Sequence, residues 1–317
     1  MEEKTVVGID LGGTKVSLGI FSLDGCCRWK ALERLNGRKG GQVGALIVTM
    51  LAEILSLAKE RGYRVMAVGL CVPGIYDRNA QSVWAPNIPG WEAYPLKQEL
   101  ETSLAGSDIP VIIDNDRSCT ILAEVWKGRA KGCENALFVA VGTGIGLGIW
   151  ANGQVLGGAH GIAGAIGWLG MGPDSQGGNL EASASGIGIA SQAARLLAER
   201  PELSSELRNL PPAALTAAEV FKAYGKGDPI ATGVLDRAVT QWGLCTAHLI
   251  SIFDPETIIF GGGIFGPAAQ FMEAIRAEAK KSAQPISFGK VNLGTSALDG
   301  DAAMIGAAYL ALRALDH

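Results

Sequence analysis

Asp10-Leu11-Gly12-Gly13-Thr14-Lys15 joins two runs of strand-forming residues, 5–11 and 16–23. An acidic residue near the end of a buried strand is followed by two glycines, which let the backbone approach an anion closely. Thr14 and Lys15 can donate hydrogen bonds to phosphate oxygens. The stretch therefore predicts two antiparallel strands and a phosphate-binding turn, with contacts from Asp10, Gly12, Gly13, Thr14 and Lys15.

A second turn of this kind, Gly142-Thr143-Gly144-Ile145-Gly146, connects the apolar run 136–142 to the strand-like run 146–151. Taken alone, either turn is more typical of a plain β-hairpin. Two of them at equivalent places in two similar halves favour a pair of related lobes that clamp phosphate from both sides of a central cleft. Thr143 and Gly144 are the expected phosphate contacts in the second half.

The rest of the chain alternates between strand and helix patterns, which predicts an α/β fold. Residues 42–61 carry apolar side chains three and four positions apart, so one face of this helix is expected in the core. We expect a first lobe at 1–130, a second lobe at 131–300, and a C-terminal helix within 301–317 that packs back on the first lobe. Further elements are predicted as strands at 28–35, 65–72, 111–114 and 257–260, and as helices at 188–200, 230–252, 267–282 and 301–315.

The composition excludes several classes of protein. With 317 residues, of which 48% are hydrophobic and 18% charged, the chain can bury a core in each of two lobes. The net charge of −4 offers no basic stripe for nucleic acid. No uninterrupted apolar stretch approaches the roughly 20 residues that cross a bilayer, and the N-terminus enters a strand without room for a signal segment. We expect a cytoplasmic protein that binds neither nucleic acid nor membrane.

The cysteines show no pattern of metal binding. No Cys-x-x-Cys pair occurs, and no histidine lies at ligand spacing from a thiol. The sequence therefore predicts free, buried thiols. The six cysteines are Cys26, Cys27, Cys71, Cys119, Cys133 and Cys245.

A third glycine cluster, Gly261-Gly262-Gly263-Ile264-Phe265-Gly266, follows a strand and formally satisfies the dinucleotide pattern G-x-G-x-x-G. A dinucleotide fingerprint normally opens a domain and is followed about 20 residues later by an acidic residue at the end of a strand. The region that far downstream of Gly261 is still helix or loop. We therefore favour a loop at the edge of a nucleotide, with Gly262 and Gly263 near adenine or ribose.

The order of the short motifs resembles that of the ROK family (repressor, open reading frame, kinase), over essentially the whole chain. The resemblance implies a two-lobed actin-like and hexokinase-like (ribonuclease H-like) ATPase fold with a central cleft. It also implies ATP with Mg²⁺, phosphorylation of a sugar hydroxyl, and a homodimer. The motifs are the Asp-x-Gly-Gly-Thr-Lys opening, Pro73-Gly74, Pro86-Asn87 with Gly90-Trp91, Asp114-Asn115-Asp116, Gly-Thr-Gly-x-Gly and Gly261-Gly262-Gly263.

The resemblance assigns roles to individual residues. Asp116 matches the catalytic base and Asn115 the ligand of a sugar hydroxyl, with Asn87 as a further acceptor contact. Asp10 would lie near Mg²⁺, through water. A carboxylate at the end of a buried strand is suited to accept the proton of an attacking hydroxyl. The alternative for Asp116 is an N-cap of the helix that follows.

The sequence departs from the family where the acceptor binds. ROK kinases carry Gly-Glu-x-Gly-His where this chain has Gly164-Ala165-Ile166-Gly167-Trp168, so both polar ligands are replaced. Residues 172–178 contain no cysteine in place of the family's zinc loop, so zinc is not expected. Glu181 still matches an acidic sugar ligand. Trp168 either stacks on a sugar or cyclitol ring or fills a core.

Arg117 follows the presumed base directly. Within the cleft it would lower the basicity of Asp116 or contact an acidic substrate, but a solvated position on the helix is favoured. The expected function is an ATP-dependent kinase for a hydroxyl of a sugar or sugar-like polyol. The alternatives are a catalytically weak sugar-sensing protein and an actin-like assembly protein. A repressor is disfavoured because the chain begins at the phosphate strand, without a helix-turn-helix before it.

Overall fold

The computed structural model of the chain describes residues 2–171 and 179–315. In this part of the chain, the strands form two five-stranded sheets and one two-stranded sheet. Helices pack on the sheets, and the two large sheets lie on opposite sides of a cleft. The predicted two-lobed α/β architecture is confirmed.

The first lobe begins with three antiparallel strands and continues with helix-connected parallel strands. Its sheet has the order β3-β2-β1-β4-β7, in which β1 pairs antiparallel with β2 and parallel with β4. Hydrophobic residues of β1 are buried on both faces, as expected for a central strand between layers. The elements are β1 (Glu3–Leu11), β2 (Lys15–Ser22), β3 (Cys27–Arg34), α1 (Gly41–Glu60), β4 (Tyr63–Val72), β5 (Ile75–Asp77), β6 (Ser82–Trp84), α2 (Leu96–Ser103), β7 (Val111–Asn115) and α3 (Asp116–Lys127).

The second lobe repeats this topology. Its sheet has the order β10-β9-β8-β11-β12, again with two antiparallel pairs followed by two parallel pairs. The two halves therefore share one strand order, the relationship that the paired glycine turns predicted. The elements are β8 (Ala136–Val141), β9 (Ile145–Ala151), β10 (Gln154–Val155), α4 (Leu180–Ala184), α5 (Gly186–Glu199), α6 (Ala217–Tyr224), α7 (Pro229–Phe253), β11 (Thr257–Gly261), α8 (Met272–Lys280), α9 (Pro285–Phe288), β12 (Asn292–Thr295) and α10 (Ala302–Arg313).

Helices α3 and α10 pack on each other between the two sheets. Helix α10 lies on β1 and β4 of the first sheet, whereas α3 lies on β8 and β9 of the second. Glycines bring the backbones into direct contact: a Cβ atom added to Gly69 would lie 1.8 Å from the carbonyl oxygen of Ala307. A Cβ atom on Gly306 would lie 1.7 Å from the carbonyl oxygen of Cys119. The lobe limits 1–130 and 131–300 stay predictions.

Helix α1 meets the length and hydropathy of a membrane-spanning helix. One of its faces, which includes Val43, Ile47, Leu51 and Ile54, is buried in the core of the first lobe. The rest of its surface is polar or partly exposed, which is the pattern of an amphipathic core helix.

Several sequence predictions need correction. Residues 267–282 do not form one helix, because a 3₁₀ turn at Pro267–Phe271 precedes α8. The short strands β5, β6 and β12 and the helices α2, α4, α6 and α9 were not predicted. Thiols are not uniformly buried either, since Cys26 and Cys27 are exposed and Cys133 is half-buried, although all six cysteines are free.

Candidate active site

The carboxyl ends of four strands meet at the cleft. Asp10 lies near the end of β1, Asp116 directly follows β7, Gly142 follows β8 and Gly262 follows β11. Ligand sites in α/β sheets form at this edge, because loops diverge there from the ends of parallel strands. The topology thus brings polar and glycine-rich segments from both halves to one place.

A cavity of about 770 Å³ opens between the lobes. Asp116 and Arg117 line it from the first lobe, and Thr143 and Glu181 line it from the second. We call it the acidic cavity. Its other lining residues include Asn87 and Gly262 as well as Ile75, Trp84, Ile162, Ala165 and Trp168.

A second cavity, also of about 770 Å³, lies within the second lobe. Gly142 and Thr143 line this cavity and the acidic cavity alike, so the turn forms a shared border. We call the second cavity the apolar cavity, since its walls are mainly aliphatic and small side chains. They include Gly186, Ile187, Ala190, Ala194, Pro212, Leu215, Gly263 and Ile264.

The turn between the cavities is held by hydrogen bonds. The Gly142 N–H donates to the carbonyl of Gly144 over 2.9 Å, and the Gly186 N–H donates to the carbonyl of Gly142 over 2.8 Å. The Ile145 N–H donates to Glu181 Oε2 over 2.7 Å. These bonds fix the turn at the N-terminus of α5, where the helix dipole favours an anion.

Two glycines of this region leave no room for a side chain. A Cβ atom on Gly144 would lie 2.5 Å from Glu181 Oε2. Gly262 has φ of +89°, and a Cβ atom there would lie 2.5 Å from the carbonyl oxygen of Val141. Neighbouring protein atoms therefore exclude a side chain at both positions, and only glycine fits there.

Asp116 is the first residue of α3 and is exposed to the cleft. Its Oδ1 accepts a hydrogen bond from the Arg117 N–H over 2.8 Å. The surrounding protein raises the pKa of Asp116 by desolvation, and the charge of Arg117 partly offsets this rise. The N-cap of α3 is Asn115, whose Oδ1 accepts from the Ser118 N–H over 3.0 Å. The N-cap alternative for Asp116 is therefore wrong.

Asn115 is buried and borders a smaller cavity of about 370 Å³ rather than the acidic cavity. Its neighbour Asp114 forms an ion pair with Arg78 at 3.2 Å across the same small cavity. Since the Asn115 side-chain oxygen caps α3, its amide nitrogen is the group left for a ligand. The sugar-binding role of Asn115 stays a prediction.

Arg117 is not the solvated helix residue that the sequence favoured. Its side chain lines the acidic cavity and packs along β9, where a Cβ atom on Gly146 would lie 3.2 Å from it. The guanidinium donates to the carbonyl oxygens of Gly161, over 3.2 Å, and Ile162, over 3.5 Å. Arg117 thus connects the helix that starts at Asp116 to the second lobe.

Asp10 is partly buried beside this site. Burial raises its pKa to about 6, the charge of Lys15 opposes that rise, and the charge of Asp116 adds to it. The two carboxyl groups therefore lie within electrostatic range of each other. Such a pair of acidic groups favours a cation near it.

The first glycine turn lies next to the acidic cavity rather than in its wall. The Gly12 N–H donates to the carbonyl of Lys15 over 2.8 Å and closes the hairpin. Gly13 and Thr14 line a depression of about 400 Å³, and Asn87 borders both this depression and the acidic cavity. The phosphate contacts assigned to Gly12, Gly13, Thr14 and Lys15 stay predictions.

Trp168 does not fill a core. Its side chain is 79% exposed at the end of a 3₁₀ turn, Ile166–Trp168, and lines the acidic cavity beside Ala165. No group of three or more His, Cys, Asp or Glu side chains that could hold a metal occurs among residues 2–171 and 179–315. The segment 172–178, on which the zinc prediction depends, lies outside the described residues.

A sequence model of the ROK family matches residues 6–314. The chain belongs to the ROK family. A glucokinase from Halalkalibacterium halodurans is 32% identical, and the match covers 98% of this chain and 96% of that enzyme.

Solved structures of ROK proteins have the same fold. A ROK hexokinase from Thermus thermophilus is 30% identical, with a TM-score of 0.79 and coverage of 99% of this chain and 100% of that one. A ROK glucokinase from Streptomyces griseus, in complex with glucose and AMPPNP, is 26% identical with a TM-score of 0.74. That match covers 98% of this ROK chain and 99% of the glucokinase.

Sequence reasoning missed much of both cavities in this ROK protein. Trp84 and Ile75 belong to a short hairpin, β5–β6, whose place beside the cleft depends on topology. The apolar cavity could have been inferred from the sequence. Small residues occur four positions apart on one face of α5, at Gly186, Ala190 and Ala194.

Proposed function

We propose that this ROK-family protein, an ATP-dependent carbohydrate kinase, transfers the γ-phosphoryl group of ATP to a hydroxyl of a sugar or sugar-like polyol, with Asp116 as the general base. One observation carries the proposal. Asp116 shares the acidic cavity with Thr143, and Thr143 also borders the apolar cavity. A nucleotide that enters through the apolar cavity therefore ends where a carboxylate can reach an acceptor.

The shape of the second lobe fits a nucleotide. The apolar cavity offers aliphatic walls for the flat base, and the Gly142–Gly144 turn offers bare backbone for the phosphates. Gly144 and Gly262 are positions at which an added Cβ atom would collide with its neighbours. Gly263 lines the apolar cavity, and this position supports a contact between its loop and adenine or ribose.

Asp10 is the residue that would hold Mg²⁺, through water. A carboxylate with a raised pKa beside a second carboxylate gains from a divalent cation, which relieves the repulsion between the two groups. Mg²⁺ on the nucleotide neutralises phosphate charge during transfer. The residues present fit this use, since nucleotide-linked Mg²⁺ needs only one or two protein carboxylates.

The reaction balances with the groups at hand. The acceptor oxygen forms a bond to the γ-phosphorus, and the bond from that phosphorus to the bridging oxygen breaks, so ADP leaves with the electron pair. The proton of the acceptor hydroxyl moves to the Asp116 carboxylate. Arg117 keeps Asp116 oriented, because it anchors the start of α3 to the carbonyls of Gly161 and Ile162.

The acid dependence of the reaction follows from the raised pKa of Asp116. A base acts only when it is unprotonated, so kcat/KM is expected to fall as the pH drops through a pKa above 3.8, the ordinary value for Asp. The profile is measured with saturating MgATP, and circular dichroism at each pH controls for unfolding. A flat profile down to about pH 4 would exclude a base with a raised pKa.

Glu181 has two separable roles in this site. Glu181→Gln keeps an oxygen for the buried Ile145 N–H but loses the negative charge, so it should raise KM for the acceptor and leave KM for MgATP near the original value. Glu181→Ala leaves that N–H unpaired and should raise both KM values, the one for MgATP by about tenfold. Initial-rate kinetics of the two variants measure the effects. Equal KM values for MgATP in both would contradict the anchoring of the turn.

The function is tested by ADP release from MgATP with a panel of sugars, amino sugars, polyols and cyclitols. Acceptor-stimulated release supports the proposal. The replacement of polar ligands at Ala165 and Trp168 favours one alternative, a catalytically weak sugar-sensing protein. Calorimetric binding of a sugar without ADP release would support that alternative and overturn the kinase proposal.

We also propose a cytoplasmic location. All six cysteines are free, which suits a reducing compartment. The homodimer implied by the family resemblance stays a prediction, and the mass of the protein in solution checks it.

A further inference from the structure

We propose that the preferred acceptor is a hydroxylated ring that carries an apolar, flat substituent, which Trp84 and Trp168 hold between the lobes. The inference deepens the proposed function and rests on it. It concerns the part of the acidic cavity wall that Trp84 and Trp168 form.

Two large aromatic side chains line the acidic cavity from opposite lobes. Trp84, at the end of β6, is 46% exposed, and Trp168 is 79% exposed. A tryptophan exposed to this extent loses the stabilisation that burial of its ring would provide. Two of them in the wall of one cavity, one from each lobe, indicate a ligand that covers both.

Both tryptophans lie on backbone that is held in place. Around Trp84, the N–H of Val83 donates to the carbonyl of Tyr94 over 2.8 Å, and the N–H of Ala85 donates to that of Trp91, also over 2.8 Å. The close packing continues at Gly74, where a Cβ atom would lie 2.0 Å from the Trp84 carbonyl oxygen. The exposure of the Trp84 ring is therefore a property of its position in the fold.

The backbone that leads to Trp168 is held in place as well. The Leu147 N–H of β9 donates to the carbonyl of Gly164 over 2.8 Å, and a Cβ atom on Gly164 would lie 1.9 Å from the Leu147 carbonyl oxygen. Gly167 packs on Glu181, since a Cβ atom there would lie 2.9 Å from Oε2. The segment that leads to Trp168 is thus held against the second lobe.

The cavity wall contains both polar and apolar groups. Asp116, Glu181, Asn87 and Thr143 can bond to hydroxyls. Beside Trp84 and Trp168 the wall is aliphatic, with Ile75, Ile162 and Ala165. A hydroxyl placed against this part would lose its bonds to water without gaining a partner, which costs affinity.

The size of the cavity agrees with an acceptor larger than a single sugar ring. A volume of about 770 Å³ lies in the range that encloses drug-sized ligands, and it leaves space beyond a single sugar ring. An aryl or extended alkyl group on the acceptor fits the aliphatic wall and stacks on the indole rings. The substrate class is therefore a substituted, amphipathic sugar or cyclitol.

The test compares acceptors that differ only in a phenyl group. Methyl β-D-glucoside is paired with phenyl β-D-glucoside, and N-acetylglucosamine with N-benzoylglucosamine, so that the phenyl group lies at two places on the ring. At least one phenyl compound is expected to have a kcat/KM about tenfold or more above that of its partner. Its Kd, measured by calorimetry without nucleotide, should be lower than its partner's by a similar factor.

Variants of Trp84 and Trp168 test whether their indole rings cause the preference for phenyl acceptors. Trp168→Ala and Trp84→Ala should each bring the ratio of phenyl to plain acceptor towards one, and Trp168→Phe should retain most of it. Ile252→Ala is the matched control, because Ile252 is 71% exposed on α7 outside the cleft, and it should leave the ratio unchanged.

The outcomes separate this inference from the function itself. Equal kcat/KM and Kd for both members of each pair would overturn the inference and leave the kinase in place. If both alanine variants lower kcat/KM for the plain and the phenyl acceptors to the same extent, the inference is overturned too. The indole rings would then bind the sugar ring itself and not its substituent. A phenyl preference in calorimetry without any ADP release would support the aromatic site and refute the proposed function.

Discussion

Asp116→Asn is expected to lower kcat by about 10²–10⁴-fold, the usual contribution of a general base. The amide has the shape of the carboxylate and can still accept from the Arg117 N–H, so the start of α3 is preserved. It cannot take the proton of the acceptor hydroxyl. KM for MgATP should change little, since the nucleotide is assigned to the second lobe. Steady-state ADP release with the best acceptor measures the effect.

The matched control is Asp77→Asn. Asp77 is exposed, and its Oδ1 accepts from the backbone N–H groups of Asn79 and Ala80, an arrangement that an amide oxygen can retain. This variant loses the same charge near the cleft but should keep kcat. Acceptor-stimulated turnover that survives Asp116→Asn would remove Asp116 from the role of base.

The second large effect is expected on stability, from Gly306→Ala. The added Cβ atom would lie 1.7 Å from the carbonyl oxygen of Cys119, so α10 and α3 must move apart. Overpacking between two backbones costs about 3 kcal/mol in free energy of unfolding. Because α3 begins at Asp116, kcat should fall as well. Denaturant unfolding monitored by circular dichroism, together with ADP release, measures both effects.

Gly300→Ala is the control for this substitution. A Cβ atom at Gly300 meets open space, so the change in free energy of unfolding should stay within about 0.5 kcal/mol. A Gly306→Ala variant as stable as Gly300→Ala would show that α10 and α3 are not held in backbone contact.

Local sequence patterns predicted the strands, turns and helices that depend on residues close together in the chain. The two glycine turns, the apolar strands that precede them and the amphipathic helix α1 could be recognised because each depends on residues close in sequence. Strand β12 was missed, since Asn292–Thr295 is short and half-exposed at a sheet edge and lacks an apolar run. Helix α6 was missed for a similar reason, as eight residues give little periodicity.

Residues of the acidic cavity were singled out where they belong to sequence motifs and were missed where their position depends on topology. Asp116, Thr143 and Glu181 were singled out, and the structure brings them to one cavity. Arg117 was misjudged because its partners, Gly161 and Ile162, lie more than 40 residues away on a loop of the second lobe. Trp84 reaches the cleft through pairing between two three-residue strands, which no pattern in their sequence reveals.

Helix α10 has a consequence for biosynthesis. Met304, Ala308 and Ala311 cover Val6 and Phe21 on one face of the first sheet, at opposite ends of the chain. A ribosome makes the N-terminus first, so the nascent first lobe keeps that apolar face uncovered while about 170 further residues are made before α10. The lobe translated earliest is thus the one completed last. Until α10 covers it, this apolar face of the first sheet is a surface that chaperones can bind.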